Sequence, residues 1–315
     1  MSRFIIRRLL WTIPVILFIS IVTFLLVHSV PGGPFDKEKP RPAEIQANLM
    51  RHYGLDQPLW KQYTDYMGVT RNPSGQFAGI LQWDFGPSIA QRSRTVNEIF
   101  KAHLPVSAVL GVAALAIAVG LGVPLGIVAA LKQNSLWDYL SMAIAIVGVS
   151  VPSIVIGPLL ILVFALTLGW LPVAGWGTFR HIIMPALALG LGSSAIIARL
   201  TRASMLQVIR EDYIRTARSK GLSEKVVIVR HALKNAFIPV ATVLGPMFAA
   251  LVTGTFVVEQ IFAIPGLGKY FISSITNRDY SVVMGTTLLY ALFLVASNLF
   301  VDITYAFLDP RIQYE

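Results

Sequence analysis

Few residues in this chain of 315 could perform chemistry inside an apolar environment. Glu259 and Asp302 are acidic residues at the edges of long uncharged segments, and Asn298 lies four residues before Asp302, on the same face of a helix. Ionisable groups are costly inside a bilayer and often mark proton or ion pathways. The alternative is that both acids lie near an interface and snorkel, cap a helix or pair with a basic neighbour. Because so few such groups are present, the second interpretation is favoured.

The motifs of soluble catalysts are missing from the sequence. The chain has no cysteine, and its five histidines are not spaced as metal ligands. The segment 266–269, Gly-Leu-Gly-Lys, lacks the upstream glycine and the hydroxyl residue of a phosphate-binding loop. Neither H-E-x-x-H nor G-x-S-x-G occurs. The sequence therefore predicts no catalytic residue, no metal site and no cofactor held by this chain.

Composition instead indicates a membrane protein. Hydrophobic residues make up 55% of the chain and charged residues 13%, compared with roughly 25% charged in soluble domains. Uncharged runs long enough to cross a bilayer occupy 104–131, 139–179, 181–198, 235–258 and 280–301. This excludes a soluble enzyme and a disordered chain. The net charge of +10 is then a matter of membrane topology, so nucleic-acid binding is excluded too.

The predicted fold is an all-α integral membrane protein with six transmembrane helices. The predicted spans are 9–30, 104–131, 140–168, 182–204, 236–261 and 281–307. The run 139–179 is too long for one crossing, and Pro152, Pro158 and Pro172 interrupt it. We interpret it as a kinked helix that ends near Leu168 and is followed by an apolar loop. A re-entrant segment is the alternative.

Basic residues predict the orientation and the domain division. With six spans and a cytoplasmic N-terminus, fourteen Lys and Arg residues fall inside and three fall in the short external loops. Both termini are therefore expected in the cytoplasm. The predicted division is 1–30 (tail and first span), 31–103 (external or periplasmic loop region) and 104–315 (core, with a cytoplasmic loop at 205–235). The amphipathic stretches Glu44–Tyr53 and Pro58–Met67 either form a cap over the spans or a docking surface for an external partner.

The loop from Glu211 to Pro239 reads as two helices joined by a turn. Asp212 near the start and Arg218 near the end of the first helix suit the helix dipole. Gly221 is suited to the left-handed residue that ends a helix, and Ser223 to the N-cap of the next. Such a basic hairpin either lies on anionic lipid headgroups or serves as a rigid element bound by a cytoplasmic partner.

The residues of this loop resemble a known family. R-T-A-x-x-K-G-L from Arg215 and R-H-A-L-x-N-A-x-x-P from Arg230 are similar to the ATPase-contacting loop of ABC importer permeases, in the form found in peptide transporters. Further similar segments run along the whole chain: P-G-x-P at 31–34, D-F-G-P-S at 84–88, A-A-L-K-Q-N at 129–134, P-G-L-G at 265–268, N-R-D-Y at 277–280 and V-D-x-x-Y-x-x-x-D-P-R at 301–311. The second and third of these resemble oligopeptide permeases more than dipeptide or nickel ones. The broader family motif has glutamate where Arg215 stands here.

The resemblance implies a type I ABC importer permease of the bacterial cytoplasmic (inner) membrane. Its partners would be a second homologous permease, two cytoplasmic ABC ATPase subunits that bind ATP and Mg, and an external peptide-binding protein, with membrane lipid around it. The expected ATPase-coupling residues are Tyr213, Ile214, Arg215, Thr216, Ala217, Arg218, Lys220, Gly221 and Leu222. The expected substrate-pathway residues are Ser150, Pro152 and Glu259, with Glu259 facing the amino terminus of a peptide.

Two functional alternatives remain open at this stage. A dipeptide or nickel permease would share the same motifs. A stand-alone secondary carrier would depend on an ion gradient and would work without ATPase partners.

Overall fold

The computed structural model describes residues 2–35, 42–91, 93–253 and 256–308 of the chain. Within them the secondary structure is helical, with an antiparallel bridge between Pro87 and Thr95. The α-helices of the described residues are α1 (Ser2–Ser29), α2 (Ala43–His52), α3 (Leu59–Met67), α4 (Val96–Leu131), α5 (Leu136–Ser150), α6 (Ser153–Leu160), α7 (Phe179–Val208), α8 (Asp212–Ser219), α9 (Glu224–Val226), α10 (Leu233–Ala236), α11 (Ile238–Val252), α12 (Phe256–Ile261), α13 (Gly268–Asn277) and α14 (Tyr280–Leu308). A 3₁₀ turn (Ile80–Gln82) and two π-helical stretches (Ile161–Thr167 and Val227–Ala232) complete them.

The predicted multi-span architecture is confirmed. Among the described residues, four helices, α1, α4, α7 and α14, are long and apolar enough to cross a membrane. Two bent pairs pass the same test: Leu136–Ser150 with Ser153–Thr167, and Glu224–Ala236 with Ile238–Val252. Counting each bent pair as one span gives six, the number of spans predicted, but the second pair begins at Glu224, whereas the predicted fifth span is 236–261.

The third predicted span is broken more sharply than a kink. Its two halves meet at 103°, and Val151 and Pro152 separate them in an extended conformation. The residue before a proline is disfavoured in the helical region, which accounts for the end of α5 at Ser150. The prediction was wrong about Pro158, which lies inside α6. A proline removes one backbone donor, and the packing of α6 against α7 and α12 keeps it helical.

The chain forms two compact units. The large unit comprises the described parts of Met1–Arg8, Val106–Pro265 and Phe293–Glu315. At its centre α7 packs against α4 so closely that glycines of both helices have no room for a Cβ atom. A Cβ built on Gly126 would lie 2.5 Å from the Cβ of Thr201, and one built on Gly190 would lie 2.7 Å from the carbonyl oxygen of Ala114. Small residues permit this approach, as is common between membrane helices.

The small unit comprises the described parts of Leu9–Pro105 and Gly266–Leu292. Its two amphipathic stretches form helices α2 and α3, as their patterns indicate. The hydroxyls of Ser20 on α1 and Tyr63 on α3 lie 2.7 Å apart. The buried carboxylate of Asp279, just before α14, accepts hydrogen bonds from the Ser88 hydroxyl and the Ala90 backbone N–H. Within this unit the loop region is therefore fastened to the apolar helices by specific polar contacts.

Candidate coupling site

Helix α8 has one buried and one exposed face. Ile214 and Ala217, three residues apart, are buried in a cluster with Met205 of α7 and with Val227 and Ala232. The other predicted coupling residues are exposed: Tyr213, Arg215, Thr216, Arg218, Lys220, Gly221 and Leu222. The helix is thus held to the chain by two apolar side chains and presents a polar surface to its surroundings.

The turn after α8 has the left-handed geometry that the sequence predicts. Gly221 has a φ of 76°. Its N–H donates to the carbonyl of Arg218 (2.9 Å), and the N–H of Leu222 donates to the carbonyl of Ala217 (3.4 Å). These two bonds form a Schellman motif, which satisfies carbonyls that the helix end would otherwise leave unpaired.

The second helix of the loop begins at Glu224, as predicted. Ser223 occupies the N-cap position, and its carbonyl accepts the N–H groups of Val226 and Val227. The predicted N-cap position is confirmed, although the Ser223 hydroxyl makes no capping bond to a backbone group that the structure describes.

Two polar contacts fasten the ends of α8 to the helical segment Glu224–Ala236 that follows it. The guanidinium of Arg218 donates to both carboxylate oxygens of Glu224, at 3.1 and 2.6 Å, and these bonds raise the pKa of Arg218 above its usual value. At the other end, the amide nitrogen of Asn235 donates to the hydroxyl of Tyr213 at 2.8 Å. Exposed ion pairs contribute only about 0–1 kcal/mol, so these contacts fix geometry more than they add stability.

The residues predicted for the substrate pathway lie on different elements. Ser150 ends α5 and Pro152 precedes α6, so both are at the break, where they are exposed. Glu259, on α12, is 1% exposed, and one of its carboxylate oxygens accepts a hydrogen bond from Ser107 at 2.7 Å. The structure thus places Glu259 in the interior of the large unit, beside the core residues Val258 and Phe262.

One ion pair of the large unit was anticipated from the sequence, and another was missed. Asp302 pairs with Arg8 at 3.0 Å, which agrees with the interpretation that this acid is matched by a basic neighbour. The ion pair between Asp138 and Arg202 was missed, because the two residues are 64 positions apart. Among the residues that the structure describes, no three His, Cys, Asp or Glu side chains come together as metal ligands would.

The sequence matches two family models over nearly its whole length. The model described as "Binding-protein-dependent transport system inner membrane component" matches residues 122–314, which include α8 and its turn. The model of the corresponding N-terminal region matches residues 1–111. The chain belongs to this family of transport permeases.

Relatives with full-length matches carry the names of peptide transporters. The dipeptide transport system permease protein DppB of Bacillus subtilis is 46% identical over 99% of this chain and 98% of its own. The oligopeptide transport system permease protein OppB of Salmonella typhimurium is 43% identical, and that of Escherichia coli 42% identical, over the full length of both chains. These relatives are transporter permeases, in agreement with the prediction of a transport protein.

Solved structures confirm the predicted permease fold. An amino acid ABC transporter crystallised with histidines superposes with a TM-score of 0.50 at 18% identity, over 66% of this chain and 93% of that one. The MetNI methionine ABC transporter, in an inward-facing conformation, superposes with a TM-score of 0.53 at 16% identity, over 65% and 95%. At these identities the likeness concerns the fold, which is that of an ABC importer permease.

Proposed function

We propose that this chain is a permease subunit of an ATP-driven ABC importer that carries oligopeptides across the bacterial cytoplasmic membrane. The observation that carries the proposal is the form of α8, a short helix with two buried residues and an exposed polar face. A helix that only connected two spans would need neither a separate apolar anchor nor polar ties at both ends. The names of the full-length relatives support peptides as the substrate class.

The exposed face of α8 is proposed to bind a cytoplasmic ATPase. All three kinds of contact are available at exposed residues: an aromatic ring at Tyr213, a cation at Arg215 and an apolar side chain at Leu222, in the turn after α8. In this assignment two ATPase subunits hold ATP and Mg and perform the hydrolysis. This chain supplies no phosphate-binding loop and acts by changing conformation between states that the ATPases select.

The translocation pathway is proposed to lie between this chain and a second, homologous permease, with an external binding protein delivering the peptide. Ser150 and Pro152 are our candidates for its lining, because the break in the third span exposes both. Glu259 is kept as a candidate for sensing the peptide's positive amino terminus. Since it is enclosed in the isolated chain, it could meet a peptide only in a state that opens the surroundings of α12.

The experiment that tests the proposal is reconstitution. The tagged chain is purified from its own membranes in mild detergent, and the proteins retained with it are identified by mass spectrometry. We expect two ATPases and a second permease. The complex is then placed in liposomes, and uptake of a labelled pentapeptide is measured with ATP and with an imposed ion gradient.

Uptake that requires ATP and the binding protein supports the proposal. A chain that is retained alone and transports peptide on an ion gradient would instead be a secondary carrier. The identity of 46% to DppB makes a dipeptide permease the second candidate. Competition by unlabelled peptides of two to six residues separates these candidates, since a dipeptide permease is inhibited best by the shortest peptides.

A further inference from the structure

Helix α7 connects the coupling site to the broken third span. At one end, Met205 of α7 lies in the same buried cluster as Ile214 and Ala217 of α8. Along its length, α7 packs against α5, which ends at the break beside Ser150. A displacement of α8 that moves α7 can reach the break through α5, which ends there, and through α6, which begins on its other side and also packs against α7.

The packing between α5 and α7 is close, and small residues make up much of the contact. A Cβ on Gly148 would lie 2.5 Å from the carbonyl oxygen of Leu191, so the two backbones are in contact there. Further along, Ala145 of α5 and Ala195 and Ala198 of α7 share one buried cluster. Glycine and alanine allow helices to approach closely, but their short side chains interlock little and offer little resistance to sliding or rotation.

One polar contact fixes the register of this pair. The guanidinium of Arg202 donates to both carboxylate oxygens of Asp138, from Nε at 2.8 Å and from a terminal nitrogen at 2.7 Å. The Asp138 side chain is buried, and it also accepts the backbone N–H of Asn134 at 3.0 Å. A bidentate Arg–carboxylate pair constrains both the distance and the orientation of its partners.

We propose that Arg202 is a positioning residue for transport: by holding Asp138, it makes α5 and α7 move as one body, so that a displacement of α8 reaches the break at 151–152. This inference rests on the proposed function. The ion pair sets the register between the two helices, and the glycine and alanine contacts keep them at a short distance.

The test uses the full complex in liposomes and a variant in which both charges of the ion pair are removed together, so that neither remains unpaired. The double substitution Asp138→Asn with Arg202→Gln keeps the side-chain shapes similar and removes both charges. Because the sequence has no cysteine, only added cysteines can form a disulfide. The candidate pairs are Ala145→Cys with Ala195→Cys and Ala145→Cys with Ala198→Cys, since these alanines share one buried cluster. The pairing that oxidises fully is retained, and reduced samples serve as matched controls.

We expect the double variant to assemble and to hydrolyse ATP within about twofold of wild type, while peptide uptake falls by about tenfold, a typical size for a coupling effect. Oxidation of the added cysteines should then restore uptake, since the covalent bond replaces the ion pair. In the wild-type background, the same disulfide should leave uptake nearly unchanged. If the ion pair only stabilised the fold, the double variant would lose assembly and ATP hydrolysis together with uptake.

Three results would overturn the inference: wild-type uptake by the double variant, no rescue on oxidation, or uptake by the wild-type background that stops on oxidation and returns on reduction. The last would show that α5 and α7 must separate during transport. The proposed function is judged separately, by whether the unmodified complex takes up peptide with ATP at all.

Discussion

Gly221 gives the α8 turn its direction through one backbone angle. Its φ of 76° is accessible to glycine without strain, and a Cβ at this position would meet no atom within 4 Å. A substitution there therefore acts only through the backbone, at about 1–2 kcal/mol for a residue forced into the left-handed region. We predict that Gly221→Val distorts the turn, lowers peptide uptake and leaves ATP hydrolysis and membrane insertion in place. Uptake and hydrolysis are measured on the same reconstituted complex.

The matched control is Gly221→Asn, since asparagine tolerates the left-handed region better than other residues with a side chain. It should retain most of the uptake that the valine variant loses. Equal uptake by all three proteins would contradict a role for this turn in coupling.

Glu259 allows charge and hydrogen bonding to be separated. Glu259→Gln removes the negative charge and keeps an oxygen that can accept the bond from Ser107. If the charge attracts the amino terminus of a peptide, the variant should take up limiting peptide several-fold more slowly and show a higher KM. Initial rates are compared for a free peptide and its N-acetylated form.

Ser107→Ala is the companion variant, because it removes the hydrogen-bond donor and keeps the charge. A Glu259→Gln protein with an unchanged KM for the free peptide would remove Glu259 from the substrate pathway. The carboxylate would then have a structural role within the core of the large unit.

At the scale of the elements, α8 is held by its buried side and is proposed to act through its exposed side. Ile214→Ala removes a fully buried side chain, and such truncations cost about 2–5 kcal/mol. We predict faster amide hydrogen exchange across 212–219 in this variant. Leu222→Ala truncates a side chain that is 40% exposed; it should leave exchange unchanged and reduce the amount of ATPase that is co-purified.

If both variants changed exchange equally, the buried face of α8 and the exposed turn that follows it would not have the separate roles proposed here. The comparison is made on the same tagged chain at equal expression. Western blotting of the membranes gives the amount of inserted protein.

Local sequence was a good guide where one residue type determines one backbone state. Gly221 predicted the end of α8, and Pro152 predicted the interruption of the third span. It failed where packing decides: Pro158 stays inside α6, because α6 is supported by α7 and α12. Contacts between distant positions, such as Asp138 with Arg202, depend on how helices are arranged and leave no local pattern in the sequence.

The orientation of the whole molecule is predicted by its basic residues and can be measured directly. The cysteine-free sequence suits single-cysteine labelling. Ser219→Cys lies in the coupling loop and Ser74→Cys in the loop region of the small unit, and both positions are exposed. We predict that a membrane-impermeant maleimide labels residue 74 in spheroplasts and residue 219 only in inverted vesicles.

Labelling of both residues from the same side would contradict the six-span topology with cytoplasmic termini. Permeabilised cells, in which both sites should react, provide the control for intrinsic reactivity. The measurement does not depend on transport, so it tests the topology independently of the substrate.

The apolar helices differ in how much they depend on the rest of the chain, and this bears on their biosynthesis. The most apolar window of Ile6–Ser29 is only 11% buried within the protein, whereas that of α7 is 56% buried, and the buried residues of α7 include Ser194 and Thr201. The first helix can therefore leave the translocon alone and remain stable in lipid. Helix α7 carries groups that suit a protein neighbour better than lipid, and its partners α4 and α5 are synthesised before it. Because of this order, α7 enters a membrane that already contains α4 and α5. Asp138 is then available to pair with Arg202.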